Sequence, residues 1–152
     1  MRKLLAVLAV ALVAVGCSED GGGGNPMNPS QVNIEFAFSD LVVGTGAEAV
    51  VGTQATFATW DLWLYDAAGP ASKGVHQQGN STVVQGQQLG PISYTVGSNQ
   101  LIPGFDMGAR GMKVGGKRRL YVPASLAYGS SGRGQIPPNA ALVFEIELTN
   151  VQ

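Results

Sequence analysis

The chain has 152 residues, 45% hydrophobic and 12% charged, with a formal net charge of −1. That length fits one domain of ordinary size. A charged share half the usual value of about 25% excludes disorder throughout, and a near-neutral balance leaves no footprint for nucleic acid. One cysteine and one histidine exclude an internal disulfide, a cysteine-based zinc site and any site needing two histidines. Glycine is present 22 times, twice its usual share of about 7%, which favours a turn-dense, β-rich fold.

Arg2 and Lys3 precede an unbroken apolar run from Leu4 to Val15, followed by Gly16 and Cys17. This is the basic, apolar and small-residue order of a secretory signal. The run is too short to span a bilayer, which takes about 20 residues. Ala14-Val15-Gly16-Cys17 resembles the lipobox of bacterial lipoproteins, in which the cysteine is diacylated and becomes the mature N-terminus. Residues 1–16 are therefore expected to be a signal peptide. Residues 17–30, with Gly21–Gly24 and Asn25-Pro26-Met27-Asn28-Pro29-Ser30, are expected to be a lipidated Cys17 on a flexible tether. Removing the signal leaves 7 bases and 10 acids, so −3. The folded domain is expected over 31–152.

Within it, Val32, Ile34, Phe36 and Phe38 alternate with Asn33, Glu35 and Ala37, which predicts a half-buried strand. Gly44-x-Gly46-x-x-Ala49 mimics a dinucleotide fingerprint, but the next segment alternates like a strand and no helix follows. Ala55–Tyr65 predicts a strand with Ala58, Trp60, Leu62 and Leu64 on one face. Ser72–Gly90, polar and rich in Gly, Gln and Ser, reads as a long surface loop, and Asn80-Ser81-Thr82 within it as an idle glycosylation sequon. Ile92, Tyr94 and Val96 suggest a strand closed by Gly97. Pro103–Arg110 is the one convincing helix, with proline at its start and Gly111 at its end. Arg119–Val122 is a strand closed by Pro123, and Lys117-Arg118-Arg119 reads as its solvated face. In the last strand Leu142, Phe144, Ile146 and Leu148 face the core, and Val143, Glu145, Glu147 and Thr149 face out. The expected architecture is α+β: a five- or six-stranded antiparallel sheet wrapped around one short helix.

Hydrolase patterns are absent. There is no Gly-x-Ser-x-Gly, one histidine cannot be both metal ligand and base, and Asp61 and Asp66 are poorly spaced for paired-carboxylate work. No cofactor or metal is expected. An apolar set with a few polar tips remains, which is the profile of a small-ligand or peptide pocket.

Four segments carry a family resemblance. Gln100-Leu101-Ile102-Pro103-Gly104-Phe105, Gly111–Arg119, Leu126-Ala127-Tyr128-Gly129 and Ile136-Pro137-Pro138-Asn139-Ala140 precede the closing strand at familiar spacing. Together they resemble the FKBP-type peptidyl-prolyl isomerases from about Leu41 to Val151. The resemblance implies proline-containing polypeptides as partners and a pocket between helix and sheet. Phe105 would stand on its floor, where the family usually has Trp. Leu101 and Ile102 would form a wall, with the Ile102 N–H donating to the peptide. Tyr128 would offer its hydroxyl to the substrate carbonyl, Phe144 would close the back, and Ile92 and Tyr94 would match apolar or aromatic positions. Trp60 falls where the family has a pocket Tyr. The family's pocket Asp has no clear match, and His76 is the nearest candidate. The missing contact implies reduced activity and only weak macrolide binding. With the signal, it further implies an isomerase for exported proteins, held in the cell envelope through Cys17. The alternative is a non-catalytic proline-binding or chaperone-like module on the same fold.

Overall fold

The computed structural model describes residues 32–80 and 89–152. The signal segment, Cys17, the tether and Ser81-Thr82 of the sequon lie outside the described residues. Among the described residues the strands are β1 (Ala37–Val42), β2 (Gln54–Tyr65), β3 (Lys73–Gly79), β4 (Ile92–Thr95), β5 (Lys117–Val122) and β6 (Leu142–Val151), with one α-helix, α1 (Pro103–Ala109). The strands form one antiparallel sheet in the order β1-β5-β6-β2-β3, and β4 also pairs with β2. This is the α+β arrangement expected, with six strands. No described helix is long and apolar enough to cross a membrane.

β6 lies at the centre between β2 and β5. Its Leu142, Phe144, Ile146 and Leu148 are buried as the alternation predicts. Val143, expected outside, is fully buried as well. It sits in register between Trp63 on β2 and Tyr121 on β5, whose side chains share and cover its face.

β2 departs from simple alternation. Its pairing with β6 slips between Phe57 and Thr59, a β-bulge that swaps the two faces of the strand. Before the slip the inward residues are Ala55 and Phe57; after it they are Trp60, Leu62 and Leu64. Ala58, placed inside by period-two reasoning, is only half-buried at the bulge, and fully buried Phe57 takes the core position.

Two further expectations need correcting. The first strand begins at Ala37, not Val32. Its partner β5 ends at Val122, and the following Pro123 has no N–H with which to extend the ladder. β1 is an exposed edge strand rather than a half-buried one. The second correction is in Ser72–Gly90, where Lys73–Gly79 is a strand, not a loop. Its residues are polar because β3 is the opposite edge, held to β2 by backbone pairing rather than by an apolar face.

Helix α1 packs on the inner face of the sheet. Pro103 opens it, and Gly111, with φ +74°, carries the chain away. Gly104 and Gly108 share the face that meets β5. A Cβ at the first would strike Val122, and one at the second Leu120. Side-chain-free contact there lets the helix sit close to the strand. Asp106 fixes its approach, since its carboxylate accepts from the Gly97 N–H (2.7 Å) and from the Arg110 guanidinium (2.5 Å).

The basic run on β5 splits by strand parity. Lys117 and Arg119 face outward, opposite Glu147 and Glu145. Arg118, expected to be solvated, is buried. Its guanidinium pairs with Asp40 (2.6 Å) and donates to the Gly108 and Arg110 carbonyls (2.9 and 3.1 Å). Those acceptors offset part of the cost of burying its charge.

Candidate functional site

A cleft of about 190 Å³ opens between the inner face of the sheet, the start of α1 and the loop that follows β5. Its floor is Phe105, almost fully buried. The ring meets Phe57, Phe144 and Tyr94 edge-on, at centroid separations of 5.4, 5.6 and 6.0 Å. Such edge-to-face pairs hold a ring in one orientation. Leu62, Ile92, Leu101 and Ile102 supply aliphatic walls, and Phe144, Tyr128 and Trp60 supply aromatic ones.

The polar groups are few. Tyr128 is half-buried, and its hydroxyl has no hydrogen-bond partner among the described residues. Ile102 precedes the helix; its carbonyl accepts from the Phe105 and Asp106 N–H groups. Its own N–H is free of any such partner. Gln78, Gln100 and Arg133 complete the rim, and no carboxylate, histidine or cysteine stands among the lining residues. Among the described residues no group of three or more His, Cys, Asp or Glu is placed to hold a metal ion. A cleft so furnished can desolvate a peptide and hold it by one donor and one hydroxyl. It presents no nucleophile or general base.

Trp60 does more than form a wall. Its indole Nε1 donates to the Gly90 carbonyl (2.9 Å), and its backbone N–H donates to the Asn80 amide oxygen (2.8 Å). Asn80 in turn donates through Nδ2 to the Ala58 carbonyl. β4 pairs with Gln54–Phe57 and β3 with Asp61–Tyr65, so on the edge of β2 away from β6 the stretch between them has no strand beside it. The Asn80 amide takes the place of that missing backbone partner. Trp60 and Asn80 thereby fasten both ends of the segment joining β3 to β4.

The family model described as FKBP-type peptidyl-prolyl cis-trans isomerase matches residues 72–149. An FK506-binding protein of Neisseria meningitidis serogroup B is 39% identical over 113 residues, covering 74% of this chain and 92% of that one. The chain belongs to the FKBP-type peptidyl-prolyl isomerases. FK506-binding protein 4 of Dictyostelium discoideum is 36% identical over 114 residues, and this chain spans only 27% of its length. Among solved structures, AtFKBP13 superposes with a TM-score of 0.61 at 32% identity, covering 77% of this chain and 93% of that one.

In this isomerase the cleft gathers Trp60, Ile92, Leu101, Ile102, Phe105, Tyr128 and Phe144, all expected from the sequence. Two expected residues lie elsewhere. Tyr94 is buried behind the floor, stacked on Phe57 (6.2 Å). Burial first, and the neighbouring Asp106 carboxylate second, push its phenol pKa well above the ordinary value. His76 faces the opposite side of the sheet, where its Nε2 meets Asp61 Oδ1 at 3.0 Å and its ring lies 4.9 Å from Trp63. The cause is a bulge in β3: the register runs Leu62↔Gln78, then Trp63↔His76. That bulge turns Gln78 into the cleft and His76 out of it. Gln78 and Arg133 were not singled out from the sequence. The only cue for Arg133 was its place five residues after Tyr128 in a Gly-rich loop.

Proposed function

We propose that the chain is exported, cut before Cys17, lipidated there, and held in the cell envelope by the 17–30 tether. In that setting the 31–152 domain isomerises X–Pro bonds of exported proteins. The observation that carries the catalytic part is the cleft itself, with its apolar and aromatic walls, the unengaged Tyr128 hydroxyl and the free Ile102 N–H. The peptide bond resists rotation by about 18–20 kcal/mol because of amide resonance. Twisting breaks the resonance and lowers the polarity of the C–N unit. Walls of Phe105, Trp60 and Phe144 favour the less polar twisted form over the planar one, which is differential binding of the transition state. A barrier lowered by about 4 kcal/mol accelerates a step that otherwise takes tens to hundreds of seconds about a thousandfold. The Ile102 N–H and the Tyr128 hydroxyl orient the peptide. With no carboxylate in the lining, macrolide binding is weak on this reading.

The apolar run ending in Cys17 supports the anchor. Cys17→Ala should leave an unprocessed precursor that takes up no labelled palmitate; equal labelling of variant and parent would sink the anchor. A protease-coupled assay on residues 31–152 tests the reaction. Tyr128→Phe removes one hydrogen bond, worth about 0.5–1.5 kcal/mol net, so kcat/KM should fall several-fold at unchanged melting temperature. A folded domain without turnover would favour the non-catalytic binding module.

A further inference from the structure

Arg133 is set apart from the other arginines described. Arg110 is paired with Asp106, Arg118 with Asp40 and Arg119 with Glu145. Among the described residues Arg133 has no carboxylate partner and is the only charged side chain lining the cleft. Its guanidinium carbon lies 5.5 Å from the centroid of the Tyr128 ring, within the usual cation–π range. That places a positive charge at the ring of the tyrosine whose hydroxyl is proposed to meet the substrate carbonyl.

The backbone beneath it is held firmly. The Arg133 N–H donates to the Ile136 carbonyl and the Ile136 N–H donates back to Arg133, both at 2.9 Å. Ile136 is buried in the core, and Gly134 closes the turn between them with φ +57°. A charge on an anchored tight turn keeps its direction better than one on a free loop.

We propose that Arg133 is a specificity-determining residue. It selects proline sites flanked directly by Glu or Asp and disfavours those flanked by Lys or Arg. This rests on the isomerase reading above. The lining holds no acid to neutralise the guanidinium, so a carboxylate on the bound peptide is its natural counter-charge. Arg133 is exposed, so the contact is partly screened and modest: about a two- to fivefold preference at low salt. A charge contact outside the rotating bond holds planar and twisted peptide alike. The preference should therefore lie in KM, with kcat little changed between peptides.

The test uses the full chain and peptides with Glu, Gln or Lys immediately before proline, and a second series with them immediately after. Rates come from NMR exchange, which needs no coupling protease with charge preferences of its own. The parent should favour Glu over Gln over Lys in kcat/KM in at least one series, and 1 M NaCl should erase the order. In Arg133→Gln the Glu-to-Gln ratio should approach one, and Arg133→Glu should invert it. Turnover with the same Glu-to-Gln ratio in the parent and Arg133→Gln overturns the assignment and leaves the isomerase reading standing. Failure of the parent to turn over any peptide overturns both.

Discussion

The two faces of the sheet use opposite chemistry on alternate residues of the same strands. On β6, Phe144 and Ile146 point inward to the helix and cleft, while Glu145 and Glu147 point outward. The inner face is held by volume and ring geometry around Phe105. The outer face is a lattice of charges: Glu145 accepts from both Arg119 (2.7 Å) and Lys73 (3.1 Å), Lys73 lies 4.3 Å over the Trp63 ring, and His76 meets Asp61. The inner face should therefore respond to changes of shape, and the outer face to pH and salt.

The strongest way to break this contrast is Phe105→Ala. Emptying the floor should cost about 3–5 kcal/mol in denaturant unfolding and remove turnover with it. A loss below 1 kcal/mol would contradict the reading of Phe105 as the packed centre.

Glu145→Gln probes the other face. Burial opposes ionisation of Glu145, but hydrogen bonds from Arg119 and Lys73 outweigh it and hold its carboxyl below the usual range. A carboxyl lowered in the folded state stabilises above its unfolded value of about 4.3, and that stabilisation disappears as pH falls through the folded one. The variant should lose about 1.5–3 kcal/mol at pH 7. The gap to the parent should narrow at pH 3. A gap of constant size across that range would assign the effect to packing.

Gly108→Ala sharpens the inner side by setting two effects against each other. Alanine favours a helix over glycine by about 1 kcal/mol. The added methyl would, however, strike Leu120, and overpacking costs about 1–3 kcal/mol. Net destabilisation of about 1 kcal/mol is expected, and a raised melting temperature would show that the helix can shift away from β5. The smallest effect should come from Lys117→Ala. Its 4.0 Å pair with Glu147 is about 40% exposed on both sides. Its loss should change stability by about 0.3 kcal/mol, vanishing at high salt.

Regular periodicity made some regions legible in the sequence. From Phe144 onward β6 alternates, and α1 is framed by Pro103 and Gly111, so both were placed within about two residues. The apolar cleft residues came with the family motifs. What escaped was set by irregular pairing. The β2 bulge hid Phe57, and the β3 bulge exchanged His76 for Gln78. Neither slip leaves a compositional mark, since each depends on how a neighbouring strand is registered. β3 itself was missed because an edge strand held by backbone bonds needs no apolar alternation. Arg118 was misplaced because its acceptors, Asp40 and two helix-end carbonyls, are brought to it only by the tertiary fold.

The central position of β6 has a consequence for synthesis. β6 bridges β2 and β5, yet it is the last of the six strands to be made. Ribosomes add about 5–20 residues per second, so β2 exists without this neighbour for on the order of ten seconds. During that time Trp60 and Leu62, which later line the cleft, lack the central strand on which their face of the sheet depends. Pairings that span most of the domain also close slowly. The nascent domain thus stays unfolded until its final strand emerges, and throughout that interval it presents the kind of exposed apolar chain that folding helpers bind.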